Sequence, residues 1–181
     1  MSKFPVGGGE FTPIPEGVHV AVCKHEGKVL VPSKYSKTSD GKAVFQRYIF
    51  QIEDKVPGKD FRFECRAMMG ATMGAKSRQR TFVQGWVGQT LDDKRASEFD
   101  SKFMSGRACQ ISITHNENGG KLYANISAIM PLPKGMPNPP FNLEYYEKEG
   151  EADRDRWDKE HHEAEEWEAL NRNGHSEEVP F

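Results

Sequence analysis

The sequence predicts a mainly β protein: a small five-stranded barrel followed by a charged appendage. Three observations lead there. Five segments carry strand patterning, the stretch between the third and fourth switches to helical spacing, and composition changes abruptly at a proline-rich boundary. A five-stranded antiparallel sheet has to hide its edges, and closing into a barrel does so.

The strands follow in order. In the first, 17–31, Val18, Val20 and Val22 alternate with His19, Ala21 and Cys23, and the run "KVLV" continues it through a bend at Gly27. The second, 44–53, reads "VFQRYIFQIE" and is aromatic and β-branched. In the third, 60–68, Phe61, Phe63 and Cys65 alternate with Arg62, Glu64 and Arg66. The fourth and fifth, 108–115 and 121–130, flank "NENGG", a hairpin turn because Asn and Gly tolerate positive φ. Between the third and fourth strands, "KSRQRTFVQGWVG" and "TLDDKRASEFDSKFMSG" read as short helices. Thr90 and Asp93 have capping-box spacing, Phe99 and Phe103 lie four apart on one helical face, and Gly88 and Gly106 act as stops.

The boundary is "PLPKGMPNPPF", 131–141, which holds five of the eleven prolines. Proline has no ladder donor and resists helix, so this is an extended linker. The expected organisation is a flexible leader 1–13, a folded body 14–132, a linker 133–143 and an acidic tail 144–181. Within the tail, 152–171 reads as a helix with Trp157, Ala164, Trp167 and Leu170 on a loose stripe, a solvated disordered segment being the alternative. The two tryptophans would pack on the body or on a second subunit, which leaves a homodimer open.

Charge is segregated along the chain. Residues 1–134 hold 20 Lys/Arg against 13 Asp/Glu, and residues 135–181 hold 5 against 14, so net charges of +7 and −9 hide inside a total of −2. That asymmetry suits a polyanion-binding body with an acidic tail. No run of 18 apolar residues suggests a membrane span, and Met1–Glu10 lacks the layout of a signal peptide. Cys23, Cys65 and Cys109 are odd in number and widely spaced, as for buried thiols in a reducing compartment. Cys23 and His25 lack the partner pair that a zinc site needs, and neither metal nor cofactor is expected. The carboxylates Glu53, Asp54, Asp60 and Glu64 flank one turn, but no motif frames them as a metal-dependent nuclease. No phosphate loop or nucleophile elbow occurs either, so a non-enzyme is expected.

The element order places the helix where an OB-fold places the one that plugs its barrel. Over about 14–132 the chain resembles bacteriophage-encoded OB-fold single-stranded DNA-binding proteins, and "EGVHVAVC" and "GGKLYANISAIMPLPKGM" are similar to stretches of small phage replication proteins. Its end resembles the tail of bacterial single-stranded DNA-binding proteins, in which acidic residues precede a final apolar-Pro-Phe. The matching residues are Glu177, Glu178, Val179, Pro180 and Phe181, with two acids in place of a longer acidic run. The resemblance implies sequence-independent coating of single strands during phage replication or recombination, in the cytoplasm of a bacterial host. It also implies recruitment of replication or recombination proteins by the tip. Phe181 would enter an apolar pocket, its carboxylate would pair with a basic residue, and the glutamates would meet a basic rim.

Such binding needs cations to follow phosphates and flat rings to stack on bases. The loop "PSKYSKTSDGK" offers Lys34, Tyr35, Lys37 and Lys42, and the last hairpin offers Lys121 and Tyr123. Phe45 and Arg47 share a face of the second strand, and Arg62 and Arg66 share the polar face of the third. "AKSRQR" adds Lys76, Arg78 and Arg80 next to a glycine-containing loop, in position to clamp a strand. The main rival is an OB-fold interaction module that uses the acidic helix as its contact; the nuclease is the other.

Overall fold

Strand patterning in the sequence produces the expected ladder. The computed structural model describes residues 12–136 and 151–174, with side chains placed through 153–172 of the second segment. Five strands, β1 Gly17–Pro32, β2 Lys42–Lys55, β3 Arg62–Gly70, β4 Ala108–Asn118 and β5 Lys121–Met130, form one antiparallel sheet in the order β3-β2-β1-β4-β5. The long β1 serves both halves. Gly17–Val22 pair with β4, and Ala21–Pro32 pair with β2. The handover coincides with a register shift between Cys23 and His25. The bend expected at Gly27 therefore lies earlier, at Lys24, and Gly27 has a different use described below.

The architecture is mainly β and OB-like, but the barrel is not hydrogen-bonded shut. β3 and β5 approach each other as unpaired edges, and helix α1, Arg78–Val87, packs against both. Ser77 caps α1 by accepting from the Arg80 N–H, and Gly88 ends it in the left-handed region at φ 70°. Gly85 lets α1 come this close, because a Cβ there would meet the Ile129 carbonyl oxygen at 2.9 Å. Phe82 and Trp86 of α1 join Tyr48 and Phe50 in an aromatic cluster at the centre of the core. The Trp86 indole N–H donates to the Ala108 carbonyl at 3.3 Å.

The second predicted helix is shorter and broken. Helix α2 spans only Asp93–Ser97 and is capped by Asp92, not by Thr90. A separate 3-10 turn follows at Ser101–Met104, with Asp100 as its cap. Aspartates accept from the N–H groups just after them, so each restarts the chain and splits the expected helix. Phe99 packs on the core while Phe103 is exposed, so the two do not share a face. The β4–β5 turn is Gly119-Gly120, both at positive φ, as a two-residue hairpin requires.

The three cysteines are free and buried. Burial pushes the Cys65 thiol up to about 12, which makes it a core group and a poor nucleophile. The tail helix, α3, spans Glu151–Gly174 and packs on β1. Its buried stripe contains Trp157 and Ala164, whereas Leu170 points to solvent. Among the described residues, no helix is long and apolar enough to cross a membrane. Residues 1–11 of the leader, 137–150 of the linker and early tail, and the tip from Glu177 to Phe181 lie outside the described residues.

Candidate functional site

The sheet has two faces of opposite character. Ala21, Cys23, Tyr48, Phe50, Ile52, Phe63 and Cys65 point into the core. Alternation sends their neighbours to the outer face. Pairing aligns Gly27 with Arg47 and His25 with Ile49 on β1 and β2, and Ile49 with Arg66 on β3. The outer face thus gathers His25, Arg47 and Arg66, joined by Lys24 from the bulge. Notably, Val22, Val29 and Ile49 are also buried there but fall outside the main core cluster.

What buries them is α3, which carries nine Asp/Glu against four Lys/Arg. Trp157 lies at its centre, 2 % exposed. Its ring stands 5.2 Å from the His25 ring, and Lys24 Nζ, Arg66 Cζ and Arg47 Cζ approach its centroid at 5.1, 5.8 and 6.0 Å. Carboxylates flank the indole. Asp158 accepts from His25 Nε2 at 2.9 Å, Glu160 pairs with Arg47 Nη1 at 2.7 Å, and Glu168 accepts from Lys28 Nζ at 2.6 Å. Burial pulls the Arg47 guanidinium below its usual value, and Glu160 offsets part of that.

The second half of β1 pairs with β2 alone, which leaves its other edge open. The Lys28 N–H on that edge donates to His161 Nδ1 at 2.7 Å. Helix α3 packs close over Gly27 at this contact: a Cβ there would meet His25 Cε1 at 3.3 Å and His161 Cβ at 3.4 Å. A glycine within a strand marks either a bulge or a close approach, and here it marks the approach.

The loop between β1 and β2 continues the site. The Ser36 hydroxyl donates to the Lys42 carbonyl, and the Thr38 hydroxyl donates to Asp40 at 2.6 Å, which together shape the loop. Tyr35 is 80 % exposed, with Lys34 Nζ 5.0 Å from its ring centroid. Asp40 is held below the usual carboxylate range by hydrogen bonds from Thr38 and from the Trp167 indole, the latter at 2.7 Å. Tyr35, Lys37, Lys42, Trp167 and Glu168 line a shallow cleft of about 310 Å³ between this loop and α3.

The expected residues are therefore spread over several places. Lys34, Tyr35, Lys37 and Lys42 sit on the loop, and Arg47 and Arg66 lie under α3, with Phe45 half-buried on the same face of β2 as Arg47. Arg62 contacts the Glu53 carbonyl at the start of β3. Lys76 and Arg78 are exposed ahead of and at the start of α1, whereas Arg80 is buried, bound to Asp93 at 2.8 Å and the Leu91 carbonyl at 2.5 Å. That commits Arg80 to holding α1 against the following loop. Lys121 and Tyr123 are exposed on β5, at the other end of the strand order from β3. Sequence reasoning missed Lys24 and Lys28 and considered His25 only as a metal ligand. The bulge at Lys24 hid them, since one extra residue reverses the alternation that follows it.

Three of the carboxylates at the β2–β3 turn take separate basic partners. Asp54 pairs with His19 at 3.0 Å, Asp60 with Lys55 at 3.0 Å, and Glu64 with Lys24 and Arg66. Among the described residues, no three His, Cys, Asp or Glu side chains group as metal ligands. No family model matches this chain, and no curated protein matches it.

Proposed function

We propose that the chain binds single-stranded DNA without sequence preference, through the outer face of β1–β3 and the β1–β2 loop. The observation that most supports this is the gathering of Lys24, His25, Arg47 and Arg66 around a buried aromatic ring, with Lys34 and Tyr35 exposed on the adjoining loop. Cations and stacked rings side by side are what a non-specific single-strand site requires. The sheet face and this loop are also the surfaces that OB-folds use for oligonucleotides. The resemblance extends the reading to coating of single strands in phage replication or recombination, in the bacterial host's cytoplasm, with partners recruited through Phe181. Binding, not catalysis, is the activity.

Fluorescence anisotropy with labelled oligo-dT and a matched duplex, across a salt series, tests this. Single strands should bind more tightly. If Lys24, Lys28, Arg47 and Arg66 each meet a phosphate, the log–log salt slope should be about −3. No affinity for oligo-dT at low salt sinks the reading. An acidic helix resting on this face also suits a protein-interaction module. Lys34→Glu with Lys37→Glu separates the two, weakening oligo-dT in the first case and leaving it irrelevant in the second.

A further inference from the structure

The seat of Trp157 is poorly answered by the helix that fills it. Arg47 is 5 % exposed, yet its Nε and Nη2 have no hydrogen-bond partner. His25 is 7 % exposed, and its Nδ1 has none either. The indole N–H of Trp157 is buried and equally unanswered. Buried polar atoms are nearly always paired, so three such residues in one contact call for an explanation. Glu160 Oε2 lies 2.7 Å from Arg47 Nη1 but makes no aligned hydrogen bond, so indole and carboxylate leave the guanidinium's remaining donors and the His25 Nδ1 unanswered.

A nucleotide would use it. A base carries a π-face for His25 and the cations, together with ring carbonyls and nitrogens that accept hydrogen bonds. Its phosphate carries the oxygens that a guanidinium fork is shaped for. The occupants present in the structure imitate both parts, an aromatic ring in Trp157 and an anion in Glu160. Moreover, charge adds to the apolar burial that holds the occupant: Asp158, Glu160 and Glu168 of α3 pair with His25, Arg47 and Lys28, and each of these carboxylates is partly exposed.

Resting on the single-strand reading above, we propose that the Trp157 seat, walled by Lys24, His25, Arg47 and Arg66, is a single-nucleotide subsite. It takes one unpaired base in place of the indole and a phosphate in place of the Glu160 carboxylate, and α3 leaves as the strand enters. The apparent affinity for DNA is then reduced by the fraction of molecules in which α3 is docked.

The close approach at Gly27 supplies the test. In the full chain, Gly27→Cys with His161→Cys brings two Cβ atoms to about 3.4 Å, near disulfide geometry, and the native cysteines are buried. Oligo-dT anisotropy is read oxidised and reduced, beside the unmodified chain. The expected result is at least about tenfold weaker binding when oxidised, restored by reductant. Equal binding in both states overturns the subsite while leaving single-strand binding intact. No binding by any form, the unmodified chain included, overturns both. A second measurement covers a double variant that misfolds or does not cross-link. In the unmodified chain labelled with 5-fluorotryptophan, saturating oligo-dT should move the Trp157 resonance to a solvent-exposed position and leave Trp86 in place. An unmoved Trp157 with DNA bound also overturns the proposal.

Discussion

Two helices press a tryptophan against the same sheet from opposite sides, and they do it by different chemistry. Trp86 of α1 is 1 % exposed and Trp157 of α3 is 2 % exposed, so burial alone ranks them together. Their surroundings separate them. Trp86 meets Tyr48, Phe50 and Phe82 at ring distances of 5.6, 5.1 and 6.1 Å, and its N–H is satisfied. Trp157 meets two arginines, a lysine and a histidine, and its N–H is not satisfied. The first environment has no substitute short of another core. The second resembles the environment of a ligand, which can be exchanged for something of similar shape and charge.

The largest expected effect tests that contrast directly. Trp86→Ala should remove about 3–5 kcal/mol of stability, the usual cost of emptying an aromatic site in a packed core. Trp157→Ala, at the same burial, should cost about 1–2 kcal/mol, because α3 can lift away as a local unit while the sheet persists. Urea unfolding followed by circular dichroism gives both values. Hydrogen exchange should show α3 amides exposed and sheet amides protected in the second variant. Equal losses for the two would break the comparison.

A smaller effect comes from one carboxylate. Glu160→Gln keeps the shape of the side chain and removes the charge opposite Arg47. A buried guanidinium left without its counter-charge is costly, but here α3 can undock and let water or DNA reach it. The expected outcome is a gain of about fivefold in oligo-dT affinity, which corresponds to about 1 kcal/mol of lost docking. Anisotropy at low salt measures it. Unchanged affinity would mean that the face and the DNA site are separate surfaces.

The sequence made the inner side far easier to read than the outer side. Strand alternation, the "NENGG" hairpin and the Gly88 stop of α1 are local signals, and the structure follows them. The open barrel was not legible, because whether β3 and β5 join depends on coiling summed over all five strands. The bulge at Lys24 was not legible either, since no glycine or proline marks it. Gly27 carried a signal, but a strand glycine does not say whether it bends the chain or admits a neighbour. In the tail, Trp157, Trp167 and Leu170 look alike as apolar points on a stripe. Only the fit against His25 and Arg47 selects Trp157 and leaves Leu170 in water.

The smallest effect concerns the far end of α3, where the Trp167 indole donates to Asp40. Asp40 is fully exposed, and its carboxyl is held low first by Thr38 and second by Trp167. A depressed carboxyl contributes above its unfolded value and loses that contribution as pH falls through the folded one. Trp167→Phe keeps the ring and deletes the donor. The Asp40 carboxyl, followed by NMR titration, should move only part of the way up, because the larger Thr38 contribution remains. Oligo-dT affinity should rise by less than about twofold, as for other exposed charged contacts. A shift the whole way to the ordinary aspartate value would show that α3, and not the loop itself, sets this carboxylate. The helix would then be built into the loop as firmly as α1 is built into the core, and its departure on DNA binding would be that much harder to sustain.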